Sequence, residues 1–454
     1  MKHFVILICV AMMFAAVLCG PANADVMLSP MFGDHMVLQR GMKVAVWGTA
    51  GEAETVTVSF QGQLVSGVAD SNGQWIVELE AMDTGGPSDM TIVGENTVTI
   101  TDVQVGEVWV CSGQSNMVWK LIDCDGAEEA VADSGNYNIR LFILPGPHSI
   151  DEGKWEICDP NTSPNSYGVA FFFARELAQN IDVPIGLDVP IGLIEAAKGA
   201  TAITHWTDAG TGHLYNEKIV PIQPYGIRGV LWYQGEWDAQ SDCTAELYYE
   251  MLPLLIDNWR FDWGQGDFPF LYVQLPRYNA IPRDPGWMIV RDAQLATLFE
   301  FNTGMACLID LPASSIHPPN KEPVGYRLSL AARALAYGED IVYSGPIYDP
   351  NKSSIEGDKI IIGFNHIGSG LEDFGQELTG FEIAGEDANY VEAEAVIVGD
   401  TVVVSSPSVD LPVMVRYGWA MYPECNLFNV EGLPASPFMT EGFPFPIRNR
   451  YENR

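Results

Sequence analysis

The chain has 454 residues, with 59 acidic against 23 basic side chains, so its formal net charge at pH 7 is −36. A chain this negative is repelled by phosphate-rich surfaces, so neither nucleic acid nor an anionic membrane surface is expected as a partner. Hydrophobic residues make up 47% of the chain, which excludes a disordered acidic protein, because disordered segments lack apolar residues. The length is sufficient for a large core and for two or three domains.

The first 24 residues have the pattern of a secretory leader. A basic start precedes an apolar run at residues 4–18, and small residues follow up to an A-x-A cleavage site at 22–24. The apolar run is too short and wrongly flanked for a membrane span. We therefore interpret 1–24 as a signal peptide and expect a secreted or periplasmic protein; a lipoprotein anchor at Cys19 is a minor alternative. No later stretch is long and apolar enough to cross a bilayer.

Residues 25–105 are rich in predicted strands and are interpreted as an N-terminal β-sandwich domain. Apolar and polar residues alternate in short runs separated by Gly, Asp and Asn turns, which is typical of half-buried strands. These runs are 43–49, 55–60, 74–79 and 97–103.

Residues 106–340 change character, because strand-like segments alternate with segments of helical period. Strands are predicted at 227–233, 270–275 and 305–310, and helices at 169–180, 246–260, 292–299 and 323–337. This order predicts an α/β domain with a doubly wound parallel sheet and helices on both faces. Residues 341–454 return to β character, with runs at 359–364 and 400–405, and are predicted to form a second sandwich or an extension of the first.

The stretch at 107–117, Glu-Val-Trp-Val-Cys-Ser-Gly-Gln-Ser-Asn-Met, is the candidate for the reaction centre. Its apolar start is typical of a buried strand that breaks at Gly113 into a tight turn. Ser115 is thereby placed at the carboxyl end of a strand, where open α/β sheets keep their chemistry. A helix beginning just after Ser115 would direct free N–H groups at charge developing there. The alternative is an ordinary loop with a capping serine.

Among the seven histidines, His317 has the setting of a general base. It lies in a proline-containing loop between the strand predicted at 305–310 and the helix predicted at 323–337, so it also lies at a carboxyl end of the sheet. A neutral imidazole that meets Ser115 there can take the serine proton and return it to a leaving oxygen. Without Ser115, a capping or surface role would be favoured.

A third strand end carries Gln234, Glu236 and Asp238, whose amide and carboxylates are suited to orienting a histidine and binding a substrate carbonyl. Solvated loop acids are the alternative in so acidic a chain. Glycoside hydrolysis by Glu236 with Asp238 is disfavoured, because two acids so close on one loop rarely flank a scissile bond. The loop at 198–201 is a further candidate source of a backbone N–H.

Eight cysteines are present, two of them within the predicted leader. Cys111 and Cys307 lie in predicted core strands and are expected to be buried thiols. No C-x-x-C spacing occurs, so a metal site has no support. A reaction that uses Ser115 as the nucleophile needs no metal or organic cofactor. The sequence leaves the disulfide pairing and the oligomeric state open.

Three ordered blocks resemble the signature blocks of the sialate O-acetylesterase family, within the SGNH hydrolase superfamily of serine esterases. They are Gly-Gln-Ser-Asn-Met at 113–117, Trp-Tyr-Gln-Gly-Glu at 232–236 and Ser-Ile-His-Pro-Pro-Asn-Lys at 315–321. The resemblance implies a flavodoxin-like hydrolase domain that removes O-acetyl groups from sugars. It implies Ser115 as nucleophile, His317 as general base, and an oxyanion hole that includes the N–H groups of Ser115 and Gly199.

The chain departs from the family pattern near these residues. The superfamily often has Asp three residues before the histidine, but Ser314 stands here, so Glu236 is expected to orient His317, with Asp310 as the second choice. The third block often carries an Asn that donates to the oxyanion. Asp238 stands here, so we expect Asp238 to point elsewhere and Gln234 to supply the amide.

A further departure concerns the second block, which usually reads Gly-Gly-Thr and here reads Gly199-Ala200-Thr201. If the second position needs a positive φ, Ala200 adds strain that a glycine would avoid.

The leading hypothesis is a secreted serine esterase that acts on an O-acetylated sugar or glycan through an acetyl-enzyme on Ser115. Acetylated sialic acid and acetylated plant or algal polysaccharides are both candidate substrates. The alternative is a carbohydrate-binding protein on the same fold with lost or weak turnover. Trp119, Trp206 and Trp237 are candidates to line the glycan site, although core packing is the more common role of tryptophan.

Overall fold

A computed structural model describes residues 25–143, 152–181, 188–208, 210–279, 286–312 and 315–441. The predicted signal peptide at 1–24 and the last residues of the predicted C-terminal region, 442–454, lie outside the described residues. Ser314 also lies outside them.

The chain begins with two antiparallel sheets that share one core. The first sheet has the order β1-β3-β6, and in the second β4 pairs with β5 and β7. Inward residues of both sheets, such as Val46 and Val58, belong to the same hydrophobic cluster. The strands are β1 (Met27–Leu28), β2 (Val37–Gln39), β3 (Val44–Thr49), β4 (Thr55–Phe60), β5 (Gln63–Val68), β6 (Gln74–Leu79) and β7 (Gly85–Val93).

One long strand, β8 (Thr97–Gly113), connects this region to the sheet that carries the site. Its first part pairs antiparallel with β7, and residues 107–113 pair in parallel with strands on both sides. The predicted boundary between residues 105 and 106 therefore lies inside a continuous strand. The residues of β8 from Val103 onward are all buried, whereas the preceding ones, except Ile100, are partly or fully exposed, because only the later part has layers on both faces.

The central sheet is mixed, with a parallel part in the order β10-β9-β11-β8-β12-β13-β14 and β10 antiparallel at its edge. The sequence predicts a parallel sheet, and the structure has these parallel strands as one part of a larger mixed sheet, because β8 also pairs antiparallel with β7 of the N-terminal region. The three strands predicted from the sequence correspond to β12, β13 and β14. The bounds are β9 (Ile139–Ile143), β10 (Lys154–Ile157), β11 (Ile191–Glu195), β12 (Gly229–Tyr233), β13 (Phe270–Val273) and β14 (Thr303–Ala306).

Helices pack on both faces of this sheet. On β8, Trp109 and Cys111 face the core that contains α3 and α6, whereas Val108 and Val110 face the core that contains α4 and α5. The four predicted helices correspond to α3 to α6, with ends that differ by a few residues. The described helices are α1 (Ser115–Val118), α2 (Ala127–Asp133), α3 (Gly168–Asn180), α4 (Asp242–Trp263), α5 (Gly286–Ala296) and α6 (Glu322–Tyr337). None of them is both long and apolar enough to span a membrane.

The remaining described strands form antiparallel sheets around a third core. This region is fixed to the α/β region by buried polar contacts: Arg291 of α5 donates to the carbonyl oxygens of Ala420 (2.7 Å) and Met421 (2.9 Å). The strands are β15 (Ile347–Glu356), β16 (Lys359–Asn365), β17 (Leu371–Glu372), β18 (Phe381–Ala384), β19 (Val391–Glu392), β20 (Glu394–Val398), β21 (Thr401–Ser405), β22 (Met414–Tyr417), β23 (Phe428–Asn429) and β24 (Phe438–Met439).

Candidate active site

The turn after β8 places Ser115 at the carboxyl end of the central strand. The N–H of Gln114 donates to the carbonyl oxygen of Tyr233, at the end of the neighbouring β12, over 2.9 Å. Gly113 has a φ of +127°, and a Cβ atom there would lie 2.2 Å from the same carbonyl oxygen. Only glycine allows the two strand ends to approach so closely. The helix expected after the turn is a single turn, α1, that begins at Ser115 itself.

The structure brings His317 to Ser115, as expected from their positions at strand ends. The His317 Nε2 atom lies 2.8 Å from the Ser115 Oγ atom, which is hydrogen-bond distance. The imidazole is half-buried and stacks on the indole of Trp119, with ring centroids 5.2 Å apart and planes at 26°. Burial, and secondarily the positive charge of Lys321, lowers the pKa of His317. The imidazole is therefore kept neutral, the form that accepts a proton.

Neither of the two acids expected to orient His317 contacts it. Asp310 forms a two-point ion pair with Arg327, at 2.7 and 2.6 Å. Glu236 accepts hydrogen bonds from the side chains of Gln114 (2.6 Å) and Asn116. No carboxylate within the described ranges is hydrogen-bonded to the His317 ring.

A buried polar network connects the three sequence blocks. Its members, Gln114, Asn116, Glu236 and Lys321, are each at most 3% exposed. Asn116 donates to Glu236 and to the carbonyl oxygen of Ile316 (2.9 Å), and it accepts from Lys321. Sequence reasoning did not assign Asn116 or Lys321 a function, although both belong to blocks that carried the resemblance. The available signal was a polar residue beside the nucleophile and a lysine in a proline-containing loop.

The backbones of Ser115 and Gly199 are neighbours at the end of β8. A Cβ atom built on Gly199 would lie 3.6 Å from the Cβ atom of Ser115, so these two backbones lie side by side. Neither the N–H of Ser115 nor that of Gly199 has an acceptor in the part of the chain that the structure describes. Unpaired N–H groups at such a position are suited to stabilising an oxyanion.

Gln234 does not direct a free amide hydrogen at this position. Its Nε2 atom donates to Asp238 Oδ2 (2.5 Å) and to the carbonyl oxygen of Thr201 (3.0 Å). The expected contribution of Gln234 to the oxyanion hole therefore has no geometric support here. Asp238 Oδ2 also accepts from the N–H of Ile203 over 3.0 Å. Burial raises the pKa of Asp238 to about 6.

Glycoside hydrolysis requires two carboxylates that flank a bound sugar. Glu236 and Asp238 are each 2% exposed and are hydrogen-bonded to protein groups, so they lie behind the crevice rather than on it. The geometry gives this alternative no support.

The three candidate glycan tryptophans have different environments. Trp206 is fully buried and donates to the Thr201 hydroxyl over 3.1 Å, so it belongs to the core. Trp237 is 42% exposed, on the loop that follows β12. Trp119 is half-buried against His317. Trp119 and Trp237 therefore remain available to a substrate.

The described cysteines are unpaired, and Cys111 and Cys307 are buried thiols, as expected. The described residues contain no group of three or more His, Cys, Asp or Glu side chains arranged to hold a metal ion.

Comparison with protein families gives one match over residues 105–317. The matching family is described as a carbohydrate esterase, sialic acid-specific acetylesterase. The matched segment begins in β8 and ends at His317, so it contains both residues of the serine–histidine pair.

Known proteins are similar over most of the chain. The sialate O-acetylesterase of Mus musculus is 28% identical over 90% of this chain and 93% of its own length. That of Homo sapiens is 29% identical over 89% of this chain and 91% of its own length. A crystal structure of a carbohydrate acetylesterase from Xanthomonas citri is 38% identical, with a TM-score of 0.86, over 92% of this chain and all of its own.

Ala200 has a φ of +58°, in the left-handed region that favours glycine. We expect Ala200→Gly to raise the free energy of unfolding by up to about 1 kcal/mol, because a left-handed alanine costs roughly 1–2 kcal/mol and added chain entropy offsets part of that gain. Ala202, with a φ of −76°, provides the control. Ala202→Gly should destabilise by roughly 0.5–1 kcal/mol in the same denaturant titration. Equal losses of unfolding free energy in Ala200→Gly and Ala202→Gly would contradict backbone strain at Ala200.

The buried carboxyl of Asp238 gives a second prediction. Its pKa is raised by burial to about 6 from 3.8, so the folded state holds the proton more tightly and the carboxyl's contribution to stability is lost as pH rises between these values. Both hydrogen bonds to Asp238 use Oδ2, so an amide oxygen can keep both. Asp238→Asn should therefore gain stability over the unchanged protein, by up to about 3 kcal/mol, between pH 4 and pH 7.

Asp70→Asn is the control for this titration. The exposed Asp70 accepts from the N–H groups of Gln74 and Asn72, which lower its pKa, so this variant should lose stability above pH 4. Thermal unfolding at several pH values gives both differences. A pH-independent effect of Asp238→Asn would contradict a titrating carboxyl at this position.

Proposed function

Because the chain belongs to the sialate O-acetylesterase family of carbohydrate esterases, we propose that it removes O-acetyl groups from a sugar by serine catalysis at Ser115. The protein is a carboxylic ester hydrolase. The observation that carries the assignment of the nucleophile is the 2.8 Å distance between Ser115 Oγ and His317 Nε2.

In the acylation step the Ser115 oxygen attacks the acetyl carbonyl carbon while His317 Nε2 takes the hydroxyl proton. The carbonyl π electrons move onto its oxygen and form a tetrahedral oxyanion. When this intermediate collapses, the bond between the acetyl carbon and the sugar oxygen breaks, and His317 gives its proton to that oxygen. The products are the free sugar hydroxyl and an acetyl ester on Ser115.

In the deacylation step water attacks the acetyl-serine carbon and gives a proton to His317. Collapse of the second tetrahedral intermediate returns that proton to Ser115 Oγ and releases acetic acid, which ionises at neutral pH. No redox change occurs, and every proton passes through the same imidazole nitrogen.

The backbone N–H groups of Ser115 and Gly199 are the proposed oxyanion donors. Each such donor contributes roughly 3–4 kcal/mol to transition-state stabilisation in an enclosed site. Backbone donors are fixed by the fold, so they need no reorganisation as charge develops. With Gln234 bound to Asp238 and Thr201, these two groups supply the donation.

We assign the α/β region to the flavodoxin-like SGNH hydrolases, with the nucleophile at the end of a central parallel strand and helices on both faces. We also propose that the protein works outside the cytoplasm, secreted or periplasmic, on the basis of its leader-like first 24 residues.

The proposed substrate is an O-acetylated sugar or glycan. Trp119 and Trp237 supply the apolar surfaces on which a pyranose ring stacks. The Mus musculus and Homo sapiens relatives are named sialate O-acetylesterases, so acetylated sialate is the first candidate, and acetylated polysaccharide such as xylan is the second. The acyl chemistry proposed here is the same for both.

The direct test compares the protein with its Ser115→Ala variant on p-nitrophenyl acetate, acetylated sialic acid and acetylated xylan. We expect acetate release by the unchanged protein and a loss of about 10⁴-fold or more in the variant, as in other serine hydrolases that lose the nucleophile. Ser112→Ala is the matched control, because the buried Ser112 hydroxyl donates to the Ala196 carbonyl oxygen, its one hydrogen-bond partner among the described residues. It should lose about 1 kcal/mol of stability and keep its activity. Equal rates for the unchanged protein and Ser115→Ala would contradict serine catalysis and favour a carbohydrate-binding role.

The pH dependence gives a second test. His317 must be neutral to accept the serine proton, and burial lowers its pKa from the ordinary value of 6.5. A lowered pKa keeps the imidazole neutral to lower pH, so the acidic limb of kcat/KM on a neutral ester should lie below pH 6.5. Trp119→Ala uncovers one face of the His317 imidazole and should move the acidic limb of kcat/KM to higher pH. An acidic limb above pH 6.5 in the unchanged protein would contradict a lowered pKa of His317. The same measurement in Asp238→Asn separates the titration of His317 from that of Asp238.

A further inference from the structure

Lys321 is a buried cation close to the proposed catalytic pair. It lies four residues after His317 and is 1% exposed. Burial lowers its pKa to about 8, and the negative charge of Glu236 opposes that shift, so the ammonium stays mostly protonated at neutral pH. An isolated buried ammonium is strongly unfavourable, so its partners must compensate. Its Nζ atom donates to Asn116 Oδ1 and lies 5.2 Å from the centre of the Tyr233 ring.

The orientation of the Asn116 amide is fixed by what surrounds it. The ammonium of Lys321 can only donate, so it must face Asn116 Oδ1. The Glu236 carboxyl, whose pKa is raised by burial, and the carbonyl oxygen of Ile316 both accept from the other end of the amide, Nδ2. A reversed amide would oppose donor to donor and acceptor to acceptor. Asn116 is therefore held in one orientation by a positive group on one side and a negative group on the other.

This amide connects the nucleophile turn to the histidine loop. Asn116 directly follows Ser115, and Ile316 directly precedes His317. The 2.9 Å hydrogen bond from Asn116 Nδ2 to the Ile316 carbonyl oxygen thus fixes the peptide between Ile316 and His317 relative to the serine. Within the described ranges no acid contacts the imidazole. This link, the Trp119 stack and the hydrogen bond from the His317 N–H to Ser315 Oγ (3.1 Å) position it.

We propose that Lys321 is a positioning residue for the reaction: together with Glu236 it locks the Asn116 amide, which holds the His317 loop against the nucleophile turn. The proposal rests on the proposed function. Lys321 touches neither Ser115 nor His317, and its ammonium is enclosed behind the crevice. Its charge also disfavours protonation of His317, so the same side chain contributes to the geometry and to the charge state of the base.

The first test is Lys321→Met, which keeps the length of the side chain and removes its charge. A displacement of about 1 Å at a reacting group costs on the order of 100-fold in rate, so kcat on p-nitrophenyl acetate should fall by about that factor while KM changes little. The acidic limb of kcat/KM should move to higher pH, because the lysine charge that lowers the pKa of His317 is gone. The other titratable groups near this pair include Asp238, beside Glu236, and Cys124, beside Lys321; burial raises the pKa of Cys124 to about 12, so its thiol is neutral.

A double variant tests the charge pair. Glu236→Gln alone leaves the lysine ammonium uncompensated, and Lys321→Met alone leaves the glutamate uncompensated. In Glu236→Gln with Lys321→Met both charges are absent, so the loss in kcat should be well below the product of the two single losses. The double variant has no uncompensated buried charge, so it can be measured even if one of the single variants folds poorly.

Arg260→Met is the control for a buried cation that has no connection to the site. Arg260 donates to the carbonyl oxygens of Phe268 (2.8 Å) and Asn302 (3.0 Å), near the amino ends of β13 and β14, on the opposite edge of the sheet. Arg260→Met should lower the thermal midpoint of unfolding without moving the acidic limb of kcat/KM.

The outcomes separate the two proposals. A wild-type rate that equals that of Ser115→Ala overturns serine catalysis and the role of Lys321 together. Two outcomes with an active wild type overturn the role of Lys321 alone. In the first, Lys321→Met has the same kcat and the same acidic limb as the wild type. In the second, Lys321→Met only lowers the thermal midpoint, as Arg260→Met does, and keeps its acidic limb. A fall in kcat with a shifted limb and a non-additive double variant supports it.

Discussion

The structure depends on one strand that carries a buried charge. β8 is the last strand of the N-terminal antiparallel region and the central strand of the parallel part, and its end delivers Ser115. Between these two parts lies Glu107, fully buried and paired with Arg40 and Arg228, the latter at 2.6 Å. Removing one partner of such a pair typically costs roughly 3–5 kcal/mol, so the pairing fixes where the two regions meet. A shift of the strand by one residue would turn every side chain to the opposite face and move the serine from the crevice.

Much of the α/β architecture was predictable because its signals are periodic. Helices α3 to α6 and strands β12 to β14 were each indicated by the spacing of their apolar residues, and Ser115 and His317 followed from their positions at strand ends. The extent of β8 was not predictable in the same way. One part of β8 pairs with an antiparallel neighbour and the other part with parallel neighbours, and tertiary contacts decide which. The residue types of β8 are strand-forming in both parts, so the sequence does not show where the pairing changes.

Contacts within the site were harder to predict than its location. Glu236 and Gln234 were assigned by residue type, but a buried side chain is directed by every polar group around it. Gln234 lies between Asp238 and the Thr201 carbonyl oxygen, both of which attract its amide hydrogens. Glu236 lies between two amides of the nucleophile turn, Gln114 and Asn116. The sequence places these groups on neighbouring loops, but it does not give the rotamers that decide which of them meet.

In the proposed mechanism, His317 is prepared as the base with no carboxylate from the described residues on its ring. An acid on the far ring nitrogen would raise the pKa of the imidazole and stabilise its charged form. Here the half-buried ring lies against Trp119, and the nearby ammonium of Lys321 lowers that pKa, so the neutral ring is favoured before the reaction. Hydrogen bonds through the Asn116 amide connect Glu236 to the histidine loop. In the proposed mechanism, orientation and charge stabilisation, which one acid can supply together, therefore come from different groups, and most of the stabilisation of the transition state is assigned to the two backbone N–H donors proposed for the oxyanion hole.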